Sequence, residues 1–210
     1  MLGLPSTTEV DRVLPKRAFY EHLQLDPATR RLFVDDIESI TLRNSVKPST
    51  TGIPAGDVVQ EVLVLEVALK GAAVPEAALT AIARANAHRL FFVCTRGGEA
   101  CLALLLESLV VGPWQDARGL KLRLDPAGMD QTWDLMASQA AYGDEGREDE
   151  TVEERYATDE KIARLKEQLA KVDAKRRREK QFARRNQLFD EANDLRGQIM
   201  ELEEGRDNGL

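Results

Sequence analysis

Asp57, Glu61, Glu66 and Lys70 run acidic then basic along the most apolar stretch of the chain, DVVQEVLVLEVALK. Carboxylates followed by a lysine on a strand are the raw material of metal-dependent phosphodiester cleavage, in which acids hold a divalent ion and a lysine helps to position water. The spacing speaks against that chemistry. Glu66 and Lys70 are four residues apart, so on one strand they share a face yet stand about 13 Å from each other. The tight Glu-x-Lys pair is missing. A metal-dependent nuclease therefore stands third of three readings, and Glu61 and Glu66 read more simply as strand residues paired with Arg43 or Arg89.

Other reactive types are sparse. His22 and His88 are the only histidines, far apart and outside any ligand motif, so no metal site is assigned. No glycine loop followed by lysine cradles phosphate, and no nucleophile elbow is present. The sequence assigns no catalytic residue and no cofactor. Cys94 and Cys101 flank Arg96-Gly97-Gly98-Glu99, a signature for a hairpin whose turn needs positive φ at both glycines. That register sets Arg96 opposite Glu99 and Cys94 opposite Cys101. The two thiols are expected to pack as small apolar groups rather than to work as a redox pair.

A different chemistry is written in residues 171–185, KVDAKRRREKQFARR, where eight bases against two acids leave +6. Arg176, Arg177, Arg178, Lys180, Arg184 and Arg185 are the candidate phosphate contacts. A basic helix neutralises several phosphates and releases their counterions, which makes binding salt-dependent. The more ordinary reading is a solvated face that pairs with acidic neighbours. Phe182 is the only aromatic residue in the block, so the sequence offers no ladder for stacking bases.

These charges sit inside a helical arm. Residues 158–204 contain no proline and one glycine, Gly197, and as one helix would reach roughly 70 Å. Ile162, Leu165, Leu169 and Val172 are spaced three, four, three, the alternation of a coiled-coil seam. Leu188, Ala192, Leu195, Ile199 and Leu202 repeat it. The second seam starts sixteen residues after Val172, two more than two heptads, so one straight stripe does not serve both halves. A hairpin, an antiparallel partner or docking onto a globular domain all suit this offset. Charge favours laying the basic middle against an acidic tail, because residues 186–207 carry seven acids against two arginines.

Upstream, the pattern predicts an α+β domain over 1–142, with a mixed, largely antiparallel sheet and packed helices. Asp26-Pro27 opens a helix carrying Leu32, Phe33 and Ile37, after a shorter one with Phe19 and Tyr20. Strands are expected at 39–46, 58–69, 89–95, 100–110 and 120–124. The 58–69 run, apolar on both alternations, is expected to be central. Helices are expected from Pro75 and, after Asp125-Pro126, up to Tyr142. Residues 143–158, with most of a nine-acid block, read as a linker, 159–204 as the arm, and 205–210 as a disordered tail.

Bulk properties bound the rest. The 210 residues leave room for one domain and an appendage. A net charge of −7 confines any polyanion contact to a local patch. No apolar run approaches the ~20 residues of a membrane span, and no export signal opens the chain. A cytoplasmic, non-membrane protein is expected.

The stretches MLGLPSTTEVDRVLPKRAFYEHL, LFVDDIESITLRNSVKPST, VLVLEVALK and KQFARRNQLFDEANDLRGQIMEL resemble a bacterial domain-of-unknown-function family, numbered four-three-nine-one, over nearly the whole chain. The resemblance implies an accessory role beside helicases and DNA methyltransferases of defence or restriction-like clusters, and it carries over no catalytic residue. The leading expectation is a non-enzymatic accessory protein that meets a protein partner or a second copy through Ile162, Leu165, Leu169, Val172, Leu188, Leu195, Ile199 and Leu202. A nucleic-acid-binding module using the basic block is second.

Overall fold

The computed structural model describes residues 2–147 and 149–207, without the side chains of Arg206 and Asp207. Two compact units divide the chain, the first ending at Gly146 and the second beginning at Arg147. The architecture is α+β, as the segment pattern predicts.

In the first unit a 3-10 turn, Ser6–Thr8, leads into β1 (Glu9–Leu14), α1 (Lys16–His22), α2 (Pro27–Asp35), β2 (Ile37–Val46) and the one-turn α3 (Pro48–Thr51). There follow β3 (Val62–Leu69), α4 (Glu76–Arg84), β4 (Arg89–Arg96), β5 (Glu99–Leu105), β6 (Leu109–Val111), β7 (Gln115–Asp116) and α5 (Met129–Ala141). The sheet runs β1-β2-β3-β4-β5-β6, with β7 also on β5. Only β3 and β4 are parallel, because the α4 crossover returns the chain to the same end of the sheet.

β3 is central and covered on both faces. Leu65, Val67 and Leu69 pack with Phe33, Leu79 and Ile82 in one cluster. Val62 and Val64 point the other way and are fully buried. Asp26 caps α2, accepting from the amides of Ala28 at 2.9 Å and Thr29 at 3.0 Å, while Phe19 and Tyr20 of α1 meet the Phe33 ring. At the hairpin, Gly97 and Gly98 take φ of 51° and 91°, and Cys94 pairs with Cys101.

Several boundaries differ from the sequence reading. Glu9–Leu14, given no strand there, is β1, and Ile37, expected on the helix opened by Asp26-Pro27, is the first residue of β2. Four more differ for reasons in the packing. β3 starts at Val62 rather than Val58, because the Asp130 carboxylate accepts the amides of Asp57, Val58 and Val59 and holds them out of the ladder. The 100–110 strand is two, since the Leu106 amide donates to the Ser108 carbonyl at 3.0 Å and the chain reverses. Residues 120–124 form no strand. The outer edge of β5 is already taken by β6 and β7, and the Leu122 and Arg123 amides donate to Leu2 O and Gln139 Oε1 instead. Asp125 starts a turn rather than a helix, accepting from Ala127, and α5 opens at Met129.

The second unit is a helical hairpin of α6 (Val152–Arg178) and α7 (Phe182–Asp207). α6 begins inside the acidic 143–158 stretch because Thr151 and Glu154 form a reciprocal capping box: the Glu154 amide donates to Thr151 Oγ1, and the Thr151 amide to Glu154 Oε2. The arm is thus two helices, not one rod. Ile162, Leu165, Val172, Ala192, Leu195 and Ile199 are buried against one another, with Leu169, Leu188 and Leu202 half-buried beside them. Breaking the helix at 179–181 forfeits a few hydrogen bonds but removes two apolar stripes from water, and burying each leucine or isoleucine is worth about 1.5–3 kcal/mol.

Candidate functional site

The hairpin decides where the basic block goes. α6 ends in Lys175, Arg176, Arg177 and Arg178, and Arg184 and Arg185 lie in the first turn of α7, so the turn gathers charge from two helix ends. The four cations at the end of α6 face its negative pole, which stabilises them there. Lys166 Nζ meets Glu203 Oε1 at 2.7 Å and Arg196 Nη2 meets Asp173 Oδ2 at 2.8 Å, which fixes an antiparallel register. Carried on to Arg178, that register reaches α7 beyond its second turn. The start of α7 therefore overhangs, and every residue from 180 to 187 is exposed.

Neutralisation within this tip is partial. Arg176 pairs with Asp173 at 3.3 Å and Arg184 with Glu179 at 3.6 Å. Among the described residues no carboxylate pairs with Arg177, Arg178 or Lys180. Arg185 lies over the Phe182 ring, 5.6 Å from its centroid, and Arg176 lies 5.5 Å from that of Phe189. Phe189 escaped the sequence reading because it falls outside the basic block. The signal was its seven-residue spacing from Phe182, which puts both rings on one stripe of a helix.

The other end of the hairpin is acidic. Glu150 and Glu154 line a cleft of about 470 Å³ with Thr158, Glu201 and Leu202. The hairpin is thus polarised from a basic tip to an acidic root. The apolar seam residues lie between these ends and face each other.

The strand acids of the first unit do not converge. Glu66 Oε2 accepts from Arg43 Nε at 2.7 Å, and Arg43 Nη1 also donates to Asp11 at 2.8 Å. Those two carboxylates hold the Arg43 guanidinium above its usual range. Lys70 Nζ donates to the Val34 carbonyl at 2.7 Å, and the Asp57 amide is engaged by Asp130. Among the described residues no three His, Cys, Asp or Glu side chains are grouped as metal ligands would be.

Glu61 stands in a polar knot at the start of β3. It accepts from the Ser45 hydroxyl and lies 3.4 Å from Lys47 Nζ and 3.7 Å from His88 Nε2. Partial burial resists its ionisation, but the Ser45 hydrogen bond and the Lys47 and His88 charges outweigh this and hold the carboxyl below its usual range. Beside it opens a cleft of about 460 Å³, lined by Gln60, Asn86, His88, Arg89 and Trp133 among others. Cys94 and Cys101 are free thiols at 0% exposure, so the pair is packed inside the sheet, as its register implies.

One comparison with known proteins decides kinship. A family model described as Domain of unknown function (DUF4391) matches residues 2–199. The chain belongs to that family. The DUF4391 match runs through residues of both units and ends at Ile199, the last buried residue of α7. No curated protein and no solved structure matches the chain. No helix of the described residues is long and apolar enough to cross a membrane.

Proposed function

We propose that this DUF4391 protein is an interaction module whose helical hairpin presents its basic tip to nucleic acid. One observation carries this reading: a chain of net charge −7 gathers +6 within residues 171–185, and Arg177, Arg178, Lys180, Arg184 and Arg185 of that block are exposed around the turn between α6 and α7. Spread along one helix, such charges would be a solvated face. Gathered around an exposed turn, they form a local patch able to overcome the repulsion between phosphate and an acidic protein. The seam residues are occupied with each other, so the hairpin's apolar stripes are not free for a partner. A setting among helicases and DNA methyltransferases, implied by the family, agrees with this role. The test is fluorescence anisotropy of labelled DNA with the full chain at two salt concentrations. Binding that weakens steeply with salt, and is lost in R176E/R177E/R178E, supports the proposal; unchanged binding in that variant overturns it.

A second reading is assembly between copies, favoured by the opposite charges of tip and root. A basic tip laid on the acidic cleft of another hairpin would give a salt-sensitive oligomer. Light scattering of the full chain separates the two. A dimer at low salt that falls to monomer in the charge-reversed variant favours assembly, and a monomer throughout removes it.

A further inference from the structure

Two of the large apolar side chains that this molecule leaves exposed lie at the tip. Phe182 is 69% exposed and Phe189 is 46% exposed. Neither belongs to the hairpin core, which closes on the neighbouring stripe through Leu188, Ala192 and Leu195. Seven residues apart, the two rings share one stripe of α7 about 10 Å apart along its axis. Each already carries a guanidinium: Arg185 from the same turn on Phe182, and Arg176 from the opposite helix on Phe189. The tip is therefore a surface of two arginine-aromatic pairs beside Arg177, Arg178 and Lys180, which no carboxylate pairs with among the described residues.

We infer that the tip takes single-stranded or unpaired nucleic acid, with Phe182 and Phe189 as stacking platforms for bases and the surrounding arginines as phosphate contacts. This rests on the nucleic-acid reading and adds to it the state of the strand. A duplex hides the faces of its bases, so it can use the charge at the tip but not the rings. An unpaired strand uses both, since every base has a face to stack and the stacking partner is tolerant of sequence. The spacing fits an extended strand: about 10 Å between rings exceeds the ~3.4 Å rise between stacked bases, so the platforms serve separated bases along α7. Phosphates between them run past Arg185 toward Arg177 and Arg178 at the end of α6. A stacked base also removes apolar ring surface from water that the fold leaves exposed.

The test compares a labelled 15-nucleotide oligothymidine with a 15-base-pair duplex, using the full chain at low salt. The double variant F182L/F189L keeps the helix, because both rings are outside the core, and circular dichroism verifies this. The inference expects its affinity for the single strand to drop about tenfold or more while its duplex affinity stays within about twofold. F182Y/F189Y restores single-strand binding. Loss on neither probe, or equal loss on both, overturns the stacking role; if R176E/R177E/R178E still abolishes binding, the nucleic-acid reading survives without it. A wild-type chain that binds neither probe overturns both.

Discussion

Asp173 on α6 accepts from Arg196 on α7, Nη2 to Oδ2 at 2.8 Å, across 23 residues of chain. This pair ties the two helices where the apolar seam ends and the basic tip begins. It does not by itself hold the hairpin together. Its side chains are 21% and 42% exposed, and an ion pair so placed contributes up to about 1 kcal/mol. The seam contributes more, and the difference is measurable.

Ile199→Ala removes a side chain that is 7% exposed in the hairpin core, at an expected cost of about 3 kcal/mol. Arg196→Ala is expected to cost under about 1 kcal/mol. Hydrogen exchange reads both changes. In Ile199→Ala the amides of α6 and α7 lose protection together, while those of β3 and β4 keep theirs. Equal effects of the two substitutions would mean that the ion pair, not the seam, sets the hairpin's stability.

The paired cysteines give a second expectation. The hydrogen bond with Cys101 and burial push the Cys94 thiol up, and neither sulfur is exposed. A thiol buried out of reach of a disulfide reagent does not attack it, and Cys101 is buried as fully as Cys94. The native protein is therefore expected to show no fast-reacting thiol with Ellman's reagent and two after denaturation in guanidinium. One equivalent released within seconds from the native protein would show that the β4–β5 hairpin opens.

Asp130 supplies a pH-dependent latch for the loop before β3. Partial burial opposes its ionisation, but the amides of Val59, Asp57 and Val58, with Arg89, outweigh this and lower its pKa from the ordinary 3.8. Gly56 belongs to the same contact, since a Cβ there would come within 2.3 Å of Asp130 Oδ1. A carboxyl depressed in the folded state contributes stability that is present above its unfolded pKa and is lost as pH falls through the folded one. The amide shifts of residues 57–59 are expected to titrate together at a pH below 3.8 and to be flat in Asp130→Asn. A midpoint at or above 3.8 would mean that the three amides do not hold the ionised form.

How much of this was legible in the sequence depended on how local each signal is. The Asp26-Pro27 cap, the Gly97-Gly98 turn and the doubly apolar β3 encode their geometry in neighbouring residues, and all three appear in the fold. The start of β3 depends on Asp130, seventy-one residues from Val59, and no local pattern announces that. The missing strand at 120–124 depends on β6 and β7 having filled the edge of β5. In the second unit, the offset between the seams allowed a hairpin without requiring one, and the cap at Thr151 lay hidden inside an acid-rich stretch. Phe189 became part of the candidate site only when the fold brought Arg176 to it.

The charge at the tip makes the last prediction quantitative. Counterion release gives a slope of log affinity against log salt of about −0.9 per phosphate neutralised on duplex and about −0.7 on a single strand. Arg177 and Arg178 are exposed, and among the described residues neither pairs with a carboxylate. Replacing either by alanine is expected to make the slope shallower by about one such unit without changing helix content. Arg176 already shares its charge with Asp173 at 3.3 Å and packs on Phe189, so Arg176→Ala is expected to change the slope less while weakening single-strand affinity more. The slopes come from the same anisotropy titrations run between about 50 and 200 mM salt, a range over which a protein with several phosphate contacts loses orders of magnitude in affinity. Arg177→Ala and Arg178→Ala leaving the slope untouched would remove phosphate contact from the end of α6, and a slope that falls equally for all three would make the ring above Arg176 a bystander.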